Sequence, residues 1–321
     1  MKFNLRIRFA AVGLALVPAL CAAQAFPAKP VTVVVLTGAG GVFSNFARAV
    51  GQNLEKKWRQ TVVIENRPGA GGLIASEYVN RAAPDGYTLL LGSDAISTFP
   101  IFMKSTRFDT EKDLSPISIG ASSPYIIQIN SKVPAKDFKE FIAYAKANPG
   151  KLNQGFVGAS GQQLEAIIFG QRTVTDIVKV PYQGGAPAIT ALLANDIQFY
   201  FGSYPVSAPH FKSGALIPIA TGGVRRHRSL PDVPTLKELG IDMTSGFWIG
   251  YFAPPGTPKA LREQISSDIR EALHNPEVAK PVTESMGLDV VASTVDEMAT
   301  QLSQLVRAYN EAARAAKIEP Q

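Results

Sequence analysis

The run from Val62 to Gly92, VVIENRPGAGGLIASEYVNRAAPDGYTLLLG, sets a glycine-rich turn and a helix between two strand-like segments. Val62-Val63-Ile64 and Tyr87-Thr88-Leu89-Leu90-Leu91 are the strand segments, apolar and rich in residues that suit a pleated, buried surface. Arg67-Pro68-Gly69-Ala70-Gly71-Gly72 between them needs backbone angles that residues with a Cβ resist, and three glycines supply them. Ile74 to Ala83 reads as a helix closed by Pro84-Asp85-Gly86. Strand, turn, helix, strand is a βαβ unit, and a βαβ unit implies a parallel sheet covered by helices.

The first 25 residues stand apart from this pattern. Lys2, Arg6 and Arg8 precede an apolar stretch from Phe9 to Cys21, and Ala23-Gln24-Ala25 offers a small-x-small cleavage site before Phe26. An apolar run of about 13 residues is short for a bilayer span, so the expectation is a secretory signal peptide over 1–25. Leu20 before Cys21 argues against lipidation. With Cys21 removed, the mature chain of about 296 residues has no cysteine, and neither disulfide nor thiol chemistry is expected. Loss of three basic residues lowers the formal charge from +6 to about +3. Arg225-Arg226-His227-Arg228 is the one dense basic run, read as a solvated loop; nucleic-acid binding is not expected.

The remaining chain alternates strand and helix signals at a length that suits two domains. Val31 to Leu36 is a strand. Thr37-Gly38-Ala39-Gly40-Gly41 follows, then a helix with Phe43, Phe46, Ala47, Val50 and Leu54 on one face. Ile117–Ala121 and Tyr125–Ile129 are two further strands, with Ser122-Ser123-Pro124 as a crossing between domains. Phe138–Ala147, Gln162–Phe169 and Ala186–Ala194 read as helices; Ile177–Pro181, Ile197–Phe201, Leu216–Ala220 and Ile249–Ala253 read as strands. Pro258–Leu273 is a helix with Thr257 at the N-cap and Pro258 at N1. Val295–Ala316 opens with the capping-box pair Thr294 and Glu297. The last three elements lack a sheet of their own and are expected to pack back on the first domain. The domains are therefore 26–124 with 246–321, and 125–245.

ENRPGAGG followed by PDGYTLLLG resembles the hallmark of the solute-binding receptors of tripartite tricarboxylate transporters, the Bug-type periplasmic proteins. Lys146-Ala147-Asn148-Pro149-Gly150-Lys151-Leu152-Asn153, Val180-Pro181-Tyr182-Gln183-Gly184, Leu230-Pro231-Asp232-Val233-Pro234-Thr235 and Phe252-Ala253-Pro254-Pro255-Gly256-Thr257-Pro258 continue the resemblance in order over nearly the whole mature chain. It implies an α/β, type II periplasmic-binding-protein fold, with two α/β domains around a ligand cleft. It also implies a receptor without enzymatic activity or cofactor, working as a monomer and delivering its ligand to a two-component membrane permease.

Ligands in such sheets bind beyond the carboxyl ends of the strands. In the first domain the candidates are Thr37, Gly38, Gly40, Gly41, Val42, Phe43 and Ser44, where backbone N–H groups at a helix start suit an anion. Ser93, Asp94 and Ser97, with Thr98, follow the next strand. Asp94 is unexpected near an anion, and reads either as a contact to a ligand hydroxyl or amine or as a helix cap. A dinucleotide fingerprint fails, because counting from Gly38 the third glycine position is Phe43. In the second domain Gly158, Ala159, Ser160 and Gln162 form a second carboxylate cradle. The sequence there is a near miss to the nucleophile elbow, with Gln162 in place of the last glycine. The resemblance implies Gln183, Gly184, Gly185 and Ala186 as further contacts, and Ser203 closes the set at the end of its strand. No His/Cys/Asp/Glu cluster has metal-ligand spacing.

Three positions depart from the family pattern. Ser44 and Gly202 stand where an acid is common, and Gln163 where a histidine is common. Missing acids remove the natural partner for a ligand ammonium, so the expected ligand is a carboxylate without an amino group, either a di- or tricarboxylate or an aromatic acid. Phe43, Phe99, Tyr200, Tyr204, Phe247 and Trp248 are aromatics available to line the cleft. The rival classes are an exported hydrolase built on Ser160, which needs a base within hydrogen-bond reach, and a sensory receptor that signals rather than transports.

Overall fold

The computed structural model describes residues 26–104, 106–157, 160–182 and 185–320. The expected signal peptide, and the loop residues Gly158, Ala159, Gln183 and Gly184, lie outside the described residues. In chain order the elements are β1 (Val31–Val35), α1 (Val42–Trp58), β2 (Val62–Asn66), α2 (Leu73–Asn80), β3 (Thr88–Ser93), α3 (Phe99–Phe102), α4 (Thr110–Asp113) and β4 (Ser115–Asn130). They continue with α5 (Phe138–Ala147), β5 (Asn153–Val157), α6 (Gly161–Thr173), β6 (Val178–Tyr182), α7 (Gly185–Ala194), β7 (Phe199–Ser203), α8 (Tyr204–Lys212) and β8 (Leu216–Thr221). The last elements are β9 (Gly246–Ala253), α9 (Lys259–His274), α10 (Pro276–Lys280), β10 (Asp289–Val290) and α11 (Val295–Ala315).

β2, β1 and β3 are parallel, as the βαβ reading requires, and β9 joins them antiparallel along β3. Their carboxyl ends therefore point the same way, and the amino end of β9 lies beside them. Valines and leucines of β1 and β3 alternate between two cores. Val31, Val33, Val35, Leu89 and Leu91 pack under α1 and α9, whereas Val34 and Leu90 pack under α2 and α11. Burial on both faces explains why these strands read as continuous apolar runs rather than alternating ones.

β4 corrects the expectation of two strands on either side of a crossing at Ser122-Ser123-Pro124. It is one 16-residue strand. Its first half pairs with β9 and β10, and its second half with β7 and β8. Pro124, the residue that suggested a break, sits opposite Gly246 where the strand changes partners. A missing N–H is tolerated there because no ladder bond is demanded of it. Tyr125 N–H already donates to Ser245 O, and Gly222 N–H to Tyr125 O.

The second half of β4 belongs to a separate set of strands, in which β5 is parallel to β6 and to β7. Phe138, Phe141, Phe169, Phe199 and Phe201 pack together on one face beneath α5 and α6. Ala188, Ile189, Leu192 and Tyr200 pack on the other beneath α7. α6, which follows β5, packs on α3 and α11 through a small core of Ile101, Leu164, Tyr309, Ala312 and Ala313 that joins the two lobes.

Of the two helix starts expected from sequence caps, one forms as read and one does not. Thr294 and Glu297 form the expected reciprocal capping box. Thr257 does not cap α9: its hydroxyl donates back to Pro254 O, and Pro258 takes the cap position. The Pro-Pro-Gly turn just before it offers a carbonyl closer than the helix N–H groups.

Candidate ligand-binding cleft

The loop after β1 is held from behind and open in front. Asn66, the last residue of β2, donates through Nδ2 to Thr37 O at 2.8 Å and accepts from Ser44 Oγ at 3.4 Å. Ser44 is thus buried and braces the loop rather than facing a ligand. Gly38, Gly40, Gly41 and Val42 are exposed, and no atom lies within 4 Å of where a Cβ at Gly38 or Gly40 would be. Gly40 has φ +83°, which the chain obtains from glycine without steric cost. Gly41 caps α1 with no side-chain hydrogen bond, and the first turn of α1 carries no acid. The first N–H groups of a 17-residue helix are left without side-chain caps, at the end where its dipole is positive.

Ser93 and Ser97 flank the same opening from the end of β3. Ser93 Oγ accepts from Ala95 N–H and caps the turn over 94–98. Ser97 Oγ, like Thr37 Oγ1, is buried with no hydrogen-bond partner among the described residues. Two unpaired hydroxyls at adjoining strand ends are costly unless something else satisfies them. Phe43 stacks on Phe247 at 6.4 Å, and Tyr125 lies 6.4 Å from Phe247 on its own side. These rings form an apolar wall where β4 and β9 cross between lobes. Of the other expected aromatics, Phe99 and Tyr200 are core residues, Trp248 packs on Phe252, and Tyr204 packs on His227.

From the second lobe, Ser160 stands at the N-cap of α6, but its hydroxyl donates to Val157 O at 2.5 Å and not into the helix. Gln162 also has a framing role. Its Oε1 accepts from Val157 N–H at 2.6 Å and its Nε2 donates to Phe201 O at 2.7 Å, tying the ends of β5 and β7 together. Gly185 and Ala186 begin α7 and are exposed, and Ser203 ends β7 at the N-cap of α8 without a capping bond. The described members of the predicted set lie at strand ends and at the turns and helix starts that follow them. Ser44, Ser93 and Gln162 spend their side chains on loop hydrogen bonds, whereas Thr37 Oγ1 and Ser97 Oγ have no partner among the described residues.

A buried acid cluster joins the two lobes. Glu165 of α6 accepts from Ser245 Oγ at 2.5 Å and, more weakly, from Tyr309 Oη of α11 and Gly246 N–H, both at 3.4 Å. Asp94 lies beside them: a Cβ placed on Gly161 would stand 2.9 Å from Asp94 Oδ2 and 2.5 Å from Tyr309 Oη. Burial pushes Glu165 up to about 8, with the Asp94 charge adding to it and the Ser245 hydroxyl opposing. Burial likewise pushes Asp94 up to about 7, against the pull of the Trp248 and Asp94 backbone N–H groups. Near neutral pH Glu165 is mostly protonated and Asp94 about half so. The acid that looked out of place beside an anion is thus partly relieved of its charge. Sequence reasoning missed Glu165, Tyr309, Ser245 and Asn66. Only Asn66 carried a signal, as part of the ENRPGAGG run.

Among the described residues no group of His, Cys, Asp and Glu side chains is placed to hold a metal, and no helix is long and apolar enough to cross a membrane. Two surface hollows, one between α4, α9 and α11 and one along the outer side of α6, lie away from the facing loops. The chemistry available to the loops is anion binding by backbone N–H groups and hydroxyls.

This is the architecture of a periplasmic solute-binding protein, a binding protein and not an enzyme. The periplasmic binding protein BugD is similar over 92% of this chain and 100% of its own, at 28% identity and a TM-score of 0.69. The chain belongs to the tripartite tricarboxylate transporter receptor family, whose model matches residues 46–317. A Rhodopseudomonas palustris protein with adipate aligns over 92% of this chain and 100% of that one, at 26% identity and a TM-score of 0.72. MatC of the same organism, with bound malate, aligns over 90% of this chain and 100% of that one, at 26% identity and a TM-score of 0.68.

Proposed function

We propose that this receptor captures a small carboxylate lacking an amino group in the cleft between the lobes and delivers it to a two-component membrane permease. The observation that carries the reading is the uncapped start of α1 behind Gly38, Gly40 and Gly41, beside the unpaired hydroxyls of Thr37 and Ser97. Donors without acceptors call for an anion, and the glycines let a carboxylate approach the backbone. Malate and adipate, held by two relatives, are both carboxylates without an amino group. Arg67, which follows β2, is paired with Glu65 and lies over the Tyr78 ring.

The proposed hinge is the pair of crossing segments at Ser122–Pro124 and Ser245–Phe247, between a first lobe of 26–124 with 246–321 and a second of 125–245. Gly158, Ala159, Gln183 and Gly184 complete the second lobe's contacts in this reading. The chain is exported through its first 25 residues and works as a monomer.

A thermal-shift panel on protein refolded to strip carried-over ligand tests the function. A ligand at about 100 times its Kd stabilises by roughly 2.7 kcal/mol, a shift of a few degrees at this size. Shifts confined to di- and tricarboxylates or aromatic acids support the proposal. Shifts with amino acids would overturn the inference drawn from Ser44 and Gly202.

A further inference from the structure

The second half of β4 reads Tyr-Ile-Ile-Gln-Ile-Asn; Asn130 is hydrogen-bonded to Leu192 O, whereas Gln128 sits between β7 and β8, opposite Tyr200 and Pro218. Gln128 is 0% exposed, and neither its Nε2 nor its Oε1 has a hydrogen-bond partner among the described residues. The side chain lies against the end of β7: a Cβ at Gly202 would overlap Gln128 Nε2 and stand 3.1 Å from Ser207 Oγ. Ser207, 0% exposed and the buried residue of α8, is unpaired as well. Three polar atoms from two side chains thus converge on the one residue of the β7 terminus that has no side chain, directly before Ser203.

An amide in the middle of a sheet, where Ile126, Ile127 and Ile129 surround it in sequence, has no reason to be there for packing. Leucine or valine would fill the place without an unmet donor and acceptor. Sites where local chemistry contradicts stability are where function is expected.

We propose that Gln128 and Ser207, beneath Gly202, form a specificity subsite for a neutral hydrogen-bonding group, a hydroxyl or carboxamide, on a ligand whose carboxylate is held by the glycine loops. The proposal rests on the carboxylate-receptor reading above and deepens it. The chemistry follows from the inventory of atoms. Gln128 presents one donor edge and one acceptor, and Ser207 can act as either. A hydroxyl or carboxamide both donates and accepts, so it satisfies all three atoms. A bare carboxylate only accepts and would leave Oε1 unmet; an ammonium only donates and would leave Nε2 unmet. At the end of β7 the Gln128 amide takes the place a side chain at 202 would have.

The test compares wild-type, Gln128→Leu and Ser207→Ala proteins, each refolded free of ligand, by calorimetric titration and melting temperature. The probes are dicarboxylates of four to six carbons, their hydroxylated forms such as malate, and their half-amides such as succinamate. In the wild type, the hydroxylated or half-amide member of a pair binds at least about tenfold tighter than the bare diacid, because a site built to bond a polar group discriminates against its absence. Gln128→Leu brings the two affinities together and at the same time raises the melting temperature. Ser207→Ala narrows the ratio without disturbing the strand.

Equal affinities within every pair in the wild type would overturn the subsite while leaving the carboxylate receptor standing. Failure of every carboxylate to bind would overturn the receptor reading and, with it, the subsite that rests on it. A lowered melting temperature in Gln128→Leu shows an amide that serves the fold and rejects the proposal.

Discussion

The loop between β1 and α1 and the acid cluster between α6 and α11 use opposite physics. At the loop the polar groups are exposed, belong to the backbone and carry only partial charge. At the cluster they are side-chain carboxyls, buried to 8% exposure at Asp94 and 4% at Glu165. An exposed helix start attracts an anion without having to be desolvated. A buried acid near that anion would repel it, except that burial favours the uncharged form. In the proposed carboxylate receptor two carboxyl groups can stand near the anion because burial favours their protonated forms. In that reading the first lobe's affinity lies in its backbone, where side-chain changes have little to remove.

The largest test of this contrast is pH. A carboxyl whose folded pKa exceeds its unfolded value binds its proton more tightly when folded. Its stabilising contribution is therefore full below the unfolded pKa and is lost as pH rises through the folded one. With Glu165 at about 8 and Asp94 at about 7, stability should fall between pH 5 and 8 by several kcal/mol. Each tenfold gain in a group's proton affinity on folding is worth about 1.4 kcal/mol. Urea melts at a series of pH values check it, and Glu165→Gln, which mimics the protonated form, should flatten much of the slope. A melt that is level from pH 5 to 8 would show that these acids are not held neutral.

The next effect is steric. Gly161→Ala puts a Cβ 2.5 Å from Tyr309 Oη and 2.9 Å from Asp94 Oδ2, both in fully packed surroundings. A loss of about 1–3 kcal/mol is expected, by analogy with overpacked cores. The same change at Gly38 meets nothing within 4 Å and should stay within about 0.5 kcal/mol. Thermal denaturation of the two variants side by side measures the difference between the regions directly.

A smaller effect belongs to the loop's support. Asn66→Ala removes the amide bond to Thr37 O and the acceptor for Ser44, and should cost about 1 kcal/mol in stability. Because the loop would lose its register, ligand affinity should drop further than stability does. Calorimetry of ligand binding beside a denaturant melt separates the two. The smallest effect is expected at Ser160→Ala, whose hydroxyl only bonds the Val157 carbonyl. Affinity should change by less than about threefold, because the hydroxyl is spent on a neutral bond inside the protein and not on the ligand.

Much of the frame was legible along the chain because it is set by neighbours in sequence. Glycine at Gly40 permits a turn that other residues resist, and apolar runs at Val31–Val35 and Thr88–Ser93 announce strands buried on both faces. The threonine–glutamate pair at Thr294 and Glu297 marks a helix start within one turn. The loops of the cleft could be named because a strand, a glycine turn and a helix start are all local events. Pro124 misled in one respect, since proline's missing N–H ordinarily ends a strand, whereas β4 runs on through the expected crossing as it changes partners.

Other features depended on how distant segments meet. Glu165 and Tyr309 are 144 residues apart, and their contact exists only because α6 and α11 close on each other. Asp94 read as an ordinary acid until burial beside Gly161 and Trp248 altered its protonation. Gln128 read as one polar residue in a strand; its unpaired amide and its place under Gly202 emerge only when β4, β7 and α8 are assembled. Backbone angles answer to the residue itself and its neighbours. Desolvation answers to everything within a few ångströms, and most of that comes from elsewhere in the chain.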